Sequence, residues 1–364
     1  MFANPFPNAF GLDIGDLSLK LVQLKRDGIR RGKPRFRLVN RRSIELPPGL
    51  IVNGELEKPE EVRKRILRLL AGNRYQKPIK SPWVVASLPE TKSFIKLITI
   101  KKKSDDIVDD DIPQIAKKHI PFAENEESYI HYQVIRSSTE TTEVLIGTTP
   151  KRIADSYTYL LESAGLGVIS LEIEALALAR TMITADKAYD GEARAILDIG
   201  AVRSSLIVYD HGVIQFSTSF PFSGELLTTA VSQELKIDPE SAETRKKSSG
   251  LIYKKDTGAV WTILMKQTET LIKQITASVN FYYSHFPEAN HVKKIILCGG
   301  GSNLAGLDKI LATKLKISTR PGHPWKNLFS TQTLPDDPSS LNYATAIGLA
   351  LRASENSFFP YQIF

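Results

Sequence analysis

The chain has 364 residues, 42% of them hydrophobic, with one cysteine and a formal net charge of +8. That length can bury a large core and predicts two or more domains, while a lone Cys298 rules out an intramolecular disulfide framework and a cysteine-rich metal site. No window approaches ~18 uninterrupted apolar residues, and MFANPFPNAF has no basic segment leading into a long apolar one, so a soluble intracellular protein without a signal peptide is expected.

Along the chain, AFGLDIGDLSLKLVQL (Ala9 to Leu24) reads as strand, turn and strand. Gly15 can take the positive φ of a tight hairpin, and Asp16 and Ser18 can bond their own backbone. A hairpin explains the turn. It does not explain Asp13, a carboxylate between Leu12 and Ile14, or Lys20 inside the second strand.

From Lys20 the charge is one-sided: Lys20, Lys25, Arg26, Arg30, Arg31, Lys33, Arg35, Arg37, Arg41 and Arg42 are opposed only by Asp27. A solvated hairpin face is the plain reading of such a run. An anionic membrane surface or an acidic partner comes next. Nucleic acid comes last, since Phe36 is the only aromatic residue among these charges.

A third strand is predicted at Arg37–Ile44, then the loop ELPPGLIVNGELEKP and a helix from Glu60 to Ala71 with Val62, Ile66, Leu69 and Leu70 on one face. Strands follow at Trp83–Leu88 and Phe94–Ile100. The acidic stretch SDDIVDDDIPQIAKKHIPF leads to strands at Tyr129–Ile135 and Val144–Thr149 and a helix over Ile153–Ala164. The acidic run at Asp105–Asp111 reads as the start of a helix, where carboxylates favour the positive dipole end, and not as a metal cluster. The six histidines show no HExxH spacing, and neither GxxxxGK[ST] nor GxSxG occurs.

From Gly191 the opening pattern returns. Ala195–Asp198–Gly200 ends a strand and Ser204–Asp210 begins another. A mostly helical stretch covers 225–286, its last part carrying Val260, Leu264, Leu271, Ile275, Val279 and Tyr282 at near-helical spacing. A strand at Lys294–Cys298 breaks at Gly299-Gly300-Gly301, and a helical run over Asn342–Arg352 precedes the apolar tail FFPYQIF. Two copies of strand, Asp-Ile-Gly, hydroxyl-bearing turn and strand point to a duplicated fold element. Facing each other across a cleft, the two turns would offer backbone N–H groups to a polyphosphate. Asp13 and Asp198 would hold magnesium, mostly through water, and Lys20 could reach a terminal phosphate.

These segments resemble the phosphate loops of the actin, heat-shock ATPase and sugar kinase superfamily, and within it the PilM family of type IV pilus assembly proteins, relatives of the cell-division protein FtsA. Asp13, Gly15, Ser18 and Lys20 match the first phosphate motif, and Asp198, Gly200 and Ser204 the second. Gly299, Gly300, Gly301 and Ser302 match the adenosine motif, and Glu243 and Lys246 a polar pair that reaches the ribose and base. Leu171–Arg180 and Ala346–Arg352 match the two connecting helices, which places Glu174 near the attacking water. His119-Ile-Pro121-Phe122 and Pro321-Gly322-His323-Pro324-Trp325 are the signs specific to the PilM family.

The resemblance implies an α/β, duplicated actin-like (ribonuclease-H-like) ATPase fold with an inserted β-α-β-β subdomain. Subdomain 1A would comprise residues 1–83, 169–191 and 340–364, the insert 1C residues 84–168, subdomain 2A residues 192–223 and 291–339, and helical 2B residues 224–290. It implies ATP and Mg2+ in the cleft, with Asp13, Asp198 and Glu174 as the catalytic candidates and hydrolysis weak or absent. It also implies a cytoplasmic protein peripheral to the inner membrane through its partners. These are the cytoplasmic N-terminal peptide of a PilN-like protein, docked between 1A and 1C, and indirectly other pilus platform proteins and assembly ATPases. An FtsA-like filament protein and a sugar-kinase-like phosphotransferase remain as alternatives.

Three departures stand out. Asp16 occupies a turn position where a small hydroxyl residue is usual, and two charges ~4 Å apart at an effective dielectric of about 20 interact by roughly 4 kcal/mol. Asp16 is therefore expected to face magnesium, to face away, or to weaken triphosphate binding. Pro221–Leu226 keeps one glycine of a Gly-Gly-Asn-Asp pattern but not its acid, and Pro113 implies a late start or a kink in the insert's helix.

Overall fold

The computed structural model describes residues 5–30, 32–103, 111–122, 126–185, 187–286, 288–335 and 337–354. β1 (Phe10–Ile14), β2 (Ser18–Arg30) and β3 (Lys33–Glu45) form an antiparallel meander. A ribbon of β4 (Ile51–Val52) and β5 (Glu55–Leu56) leads to α1 (Pro59–Ala71), whose start has Pro59 in its first turn with Glu60 and Glu61 at the positive dipole end. β6 (Trp83–Leu88) then lies parallel to β1. The chain departs through β7 (Phe94–Ile100), α2 (Asp111–Lys117), β8 (Ser128–Ser137) and β9 (Thr142–Pro150). It returns through α3 (Lys151–Ser163), β10 (Gly167–Ile173) and α4 (Glu174–Met182), and β10 completes a five-stranded sheet in the order β10-β6-β1-β2-β3.

The second half repeats the meander with β11 (Ala193–Ile199), β12 (Ser204–Asp210) and β13 (Val213–Phe220). Helices α5 (Gly224–Leu235), α6 (Pro239–Ser249) and α7 (Gly258–His285) follow, then β14 (Val292–Cys298), α8 (Leu307–Leu315), β15 (Ser318–Pro321) and α9 (Ala344–Ser354). The second sheet has eight strands in the order β15-β14-β11-β12-β13-β7-β9-β8, so the departing strands extend it through the pairing of Phe216 with Lys96.

β1 is buried along its whole length because both faces of its sheet are covered, which is why it reads as an unbroken apolar run. On one face Phe10, Leu12 and Leu21 pack on Val62 and Ile66 of α1 and Tyr157 and Leu160 of α3. On the other, α9 lies against β1 and β2, with Val22 and Leu24 on Ile347 and Leu351. α4 joins Leu178 and Met182 to Ile196 and Ile207 of the second sheet. Glycine is required where α9 meets α4, because a Cβ on Gly348 would collide with the Ala177 carbonyl. α4 and α9 thus bridge the halves.

Several expectations change. Leu171–Ile173 belong to β10, and the connecting helix begins only at Glu174, because this apolar stretch completes the sheet beside β6. Strands β13 and β15 add to the strands read from the sequence. β6, placed by residue number at the head of the 84–168 segment, hydrogen-bonds inside the first sheet between β1 and β10. α3, at that segment's end, packs in the first core. The acidic residues Asp105–Asp110 and the tail 355–364 lie outside the described residues. Pro113 sits in the first turn of α2.

Candidate functional site

The two Asp-bearing hairpins match residue for residue. Asp13 pairs opposite Lys20 and Ile14 opposite Leu19, while Asp198 pairs opposite Ser205 and Ile199 opposite Ser204. The Gly15 amide donates to the Ser18 carbonyl at 3.1 Å, and the Gly200 amide to the Arg203 carbonyl at 2.9 Å. Arg203 is therefore the counterpart of Ser18, and Ser205 the counterpart of Lys20.

Both hairpins open onto one cavity of about 260 Å³, lined also by Glu90, Glu174, Gly299, Gly300, Asn342 and Thr345. Asp13, Gly15, Ser18, Lys20, Asp198, Gly200 and Ser204 all lie on its wall. Gly299 adopts φ 79°, and a Cβ there would come within 2.5 Å of an Asp198 carboxylate oxygen. Only glycine lets β14 turn this close to the acid.

Acids outnumber cations here. Lys20 holds Asp13 at 3.0 Å. Burial works against the Lys20 charge, but Asp13, Asp198 and Glu174 outweigh it and hold the ammonium above the ordinary lysine range. Burial, then the charge of Asp13, pushes Asp198 up to about 6. Burial likewise lifts Glu90 to about 7, against a 2.5 Å hydrogen bond from Ser217. Glu174 is driven well above the carboxylate range by burial and by Asp13, Glu90 and Asp198. Such a set matches a divalent cation, whose charge offsets the repulsion. Among the described residues no three His, Cys, Asp or Glu side chains form a metal site by themselves. Magnesium needs only one or two carboxylates when water and phosphate complete its shell.

Other predicted side chains are tied up in local structure. The Ser302 hydroxyl bonds the Cys298 carbonyl, and Gly301 is needed because a Cβ would strike Ile199. Both shape the turn from behind. Ser204 lines the cavity, yet its hydroxyl donates to the Phe222 carbonyl at 2.7 Å. Glu243 and Lys246 pair at 2.5 Å. Lys246 also donates to the Gly224 carbonyl at 2.9 Å, and the Gly224 amide donates to the Gly200 carbonyl at 3.1 Å. This pair therefore buttresses the second hairpin. In Pro221–Leu226, Ser223 caps α5 by accepting from the Leu226 amide.

Asp16 also lines the cavity, but its carboxylate is tied into the neighbouring turn. Its two oxygens accept the Asn53 and Gly54 amides, each at 3.1 Å. The Gly54 carbonyl in turn accepts from Tyr157 at 3.0 Å, so α3, the β4–β5 turn and the first hairpin are linked. Sequence reasoning missed Glu90, Arg203 and Asn342. Glu90 follows the buried strand β6 directly, which is the one local signal that could have found it.

A second cavity of about 420 Å³ lies between β10 and the β8–β9 pair. Tyr129 and Tyr132 of β8, Leu145 of β9 and Leu171 and Ile173 of β10 line it. β10 and β8 are both edge strands. At its end, fully buried Glu172 bridges Arg180 and Arg352, each at 2.6 Å. Burial alone would raise the Glu172 carboxyl, but the two guanidinium groups hold it below the ordinary range.

Two sheets, each opened by an Asp-Gly hairpin and bridged by α4 and α9 around one cleft, define an actin-like fold. Solved structures agree. The "PilM-PilN type IV pilus biogenesis complex" matches with TM-score 0.79 and 23% identity, covering 96% of this chain and 100% of that one. MreB 5 of Spiroplasma citri bound to AMPPNP matches with TM-score 0.54 and 12% identity, covering 94% and 95%. The chain belongs to the family described as "Type IV pilus assembly protein PilM", whose family model matches residues 11–354. Cell division protein FtsA of Enterococcus faecalis (strain ATCC 700802 / V583) is 26% identical over 271 residues, 68% of this chain and 59% of that protein. FtsA of Buchnera aphidicola subsp. Baizongia pistaciae (strain Bp) is 24% identical over 214 residues, 52% of this chain and 50% of that protein. The chain thus spans between half and three-fifths of the curated relatives it matches.

Proposed function

We propose that this protein binds ATP with magnesium in the cleft and docks the cytoplasmic N-terminal peptide of a PilN-like inner-membrane protein in the β10–β8 groove. It would act as a nucleotide-responsive part of a type IV pilus assembly platform on the cytoplasmic side of the membrane. The observation that carries the nucleotide reading is the convergence of both hairpins and the Gly299–Gly300 turn on one acidic cavity. MreB 5, of the same fold, is described as bound to AMPPNP.

Asp13 and Asp198 are the residues suited to hold the cation through water, and the Gly15, Gly200 and Gly299 backbones suit close approach of phosphate. When bound, magnesium would neutralise phosphate charge. Lys20, now held by Asp13, and Arg203 are the two cations placed to meet the phosphates. Arg203 brings a planar fork of donors, one of which (Nε) is buried without a hydrogen-bond partner. Burial and the neighbouring acids hold Glu174 protonated, so it supplies no ready base at neutral pH, whereas Glu90, at about 7, is about half ionised there.

The groove suits an extended peptide. β10 is an edge strand with one side of its backbone unpaired in the sheet, and apolar and aromatic side chains line the cavity above it. Titration of a fluorescent ATP analogue tests the nucleotide half of the proposal. Saturable, magnesium-dependent binding lost in Asp13→Ala is expected, and a wild-type chain that takes up no nucleotide would overturn it.

A further inference from the structure

We infer that the outer half of the β2–β3 hairpin is a contact surface for an anionic lipid bilayer. β1 pairs with β2 only as far as Gln23, so Leu24 onward projects past the end of β1 that lies opposite the nucleotide cleft. One face of this projection is spent on packing: Leu24 and Phe36 are buried against Trp325, Leu328 and α9. The other face carries Lys25 and Arg37 directly opposite each other across the two strands, both exposed. Like charges in that position repel and destabilise the sheet.

The one acid of this outer half, Asp27, does not relieve them. Asp27 is engaged by Arg35, through a 3.3 Å ion pair and a 2.6 Å hydrogen bond to its carbonyl. Near the tip Ile29 is 61% exposed, and Val39 is 44% exposed in the register shift beside Leu38. Charges that repel one another, a bare apolar residue at the projecting end and no exposed aromatic for base stacking together fit a headgroup surface. Basic side chains also protect an edge strand such as β3 from pairing with another chain. One charge would suffice for that, and Ile29 would work against it.

The test is co-sedimentation of the full chain with vesicles of phosphatidylglycerol mixed with phosphatidylcholine, and with vesicles of phosphatidylcholine alone. Binding to the anionic vesicles only, weakened by salt, is expected. Lys25→Gln with Arg37→Gln should lower partitioning roughly thirtyfold, about fivefold for each charge near an anionic surface. Ile29→Ser should weaken binding about tenfold, as loss of one buried aliphatic side chain predicts. Lys314→Gln with Lys316→Gln, exposed on another part of the surface, should leave it unchanged. Thermal melts verify that each variant is folded. The inference fails if the chain ignores anionic vesicles, if both vesicle types bind alike, or if the hairpin variant binds like wild type. It also fails if the hairpin variant aggregates without lipid and wild type shows no lipid binding, or if a short DNA duplex binds more tightly than the vesicles.

Discussion

Glu172 and Glu174, separated by a single residue at the junction of β10 and α4, line different cavities: Glu172 the groove beside β8, Glu174 the acidic cleft. Leu88 and Glu90 repeat this division at the end of β6, Leu88 in the groove and Glu90 in the cleft. The two strand ends thus supply wall residues to both cavities, the connection through which coupling between them is expected. Coupling of this kind needs no long pathway, only two short rigid connections.

The acid cluster makes the cleft sensitive to pH. Asp198, Glu90 and Glu174 all hold their protons more tightly in the folded chain than in the unfolded one. Their contribution to stability is full below the unfolded values and is lost as pH rises through the folded ones. Denaturant titrations should show the nucleotide-free protein losing stability between about pH 5 and pH 8, and magnesium with ATP should flatten that slope. A pH-independent midpoint would refute the arrangement of charges.

Asp198→Asn should separate stability from binding. Removing the charge ends the cost of burying it and its repulsion with Asp13, so the variant should be more stable at pH 8 by on the order of 2 kcal/mol. It should bind magnesium-ATP at least tenfold more weakly. Calorimetry of both properties on the same preparation tests this.

Much of this site was legible locally, and the reason is geometric. Asp13 and Asp198 each stand one residue before the end of a strand, just ahead of a turn that opens with glycine, so the repeat is visible in the sequence itself. Backbone register adds what the motif residues alone do not state, namely that Arg203 stands where the first copy has Ser18. Glu90 and Asn342 reach the cavity from elements far away in sequence, and no local period encodes that meeting. Asp16 was ambiguous for the same reason, since the amides that settle its direction lie in the β4–β5 turn.

Asp16→Ala should therefore cost about 1–2 kcal/mol of stability, because the Asn53 and Gly54 amides lose their acceptors. ATP affinity should stay within about threefold of wild type, a change below 1 kcal/mol. A large gain in affinity would mean that Asp16 repels phosphate after all.

Arg203→Ala should weaken ATP more than AMP, since Arg203 stands in the turn that corresponds to the Ser18 turn and not in the Gly299–Gly300 turn after β14. A loss of roughly tenfold is expected from one charge-assisted contact. Equal effects on both nucleotides would remove Arg203 from the phosphate site.

Glu172→Gln should destabilise the chain by roughly 3 kcal/mol, because Arg180 and Arg352 lose a fully buried shared partner. Peptide affinity should fall with it, read by fluorescence anisotropy on folded protein. Intact stability would mean that the bridge holds nothing together.

The most direct measurement is isothermal titration of the full chain with the N-terminal cytoplasmic peptide of its PilN-like partner, with and without magnesium-ATP. Peptide affinity should change by about fivefold or more with nucleotide, and nucleotide affinity should change by the same factor with peptide. Asp13→Ala should bind peptide yet show no change. Peptide binding that is identical in both conditions would contradict the coupling of groove and cleft, and no binding at all would contradict the assembly role itself.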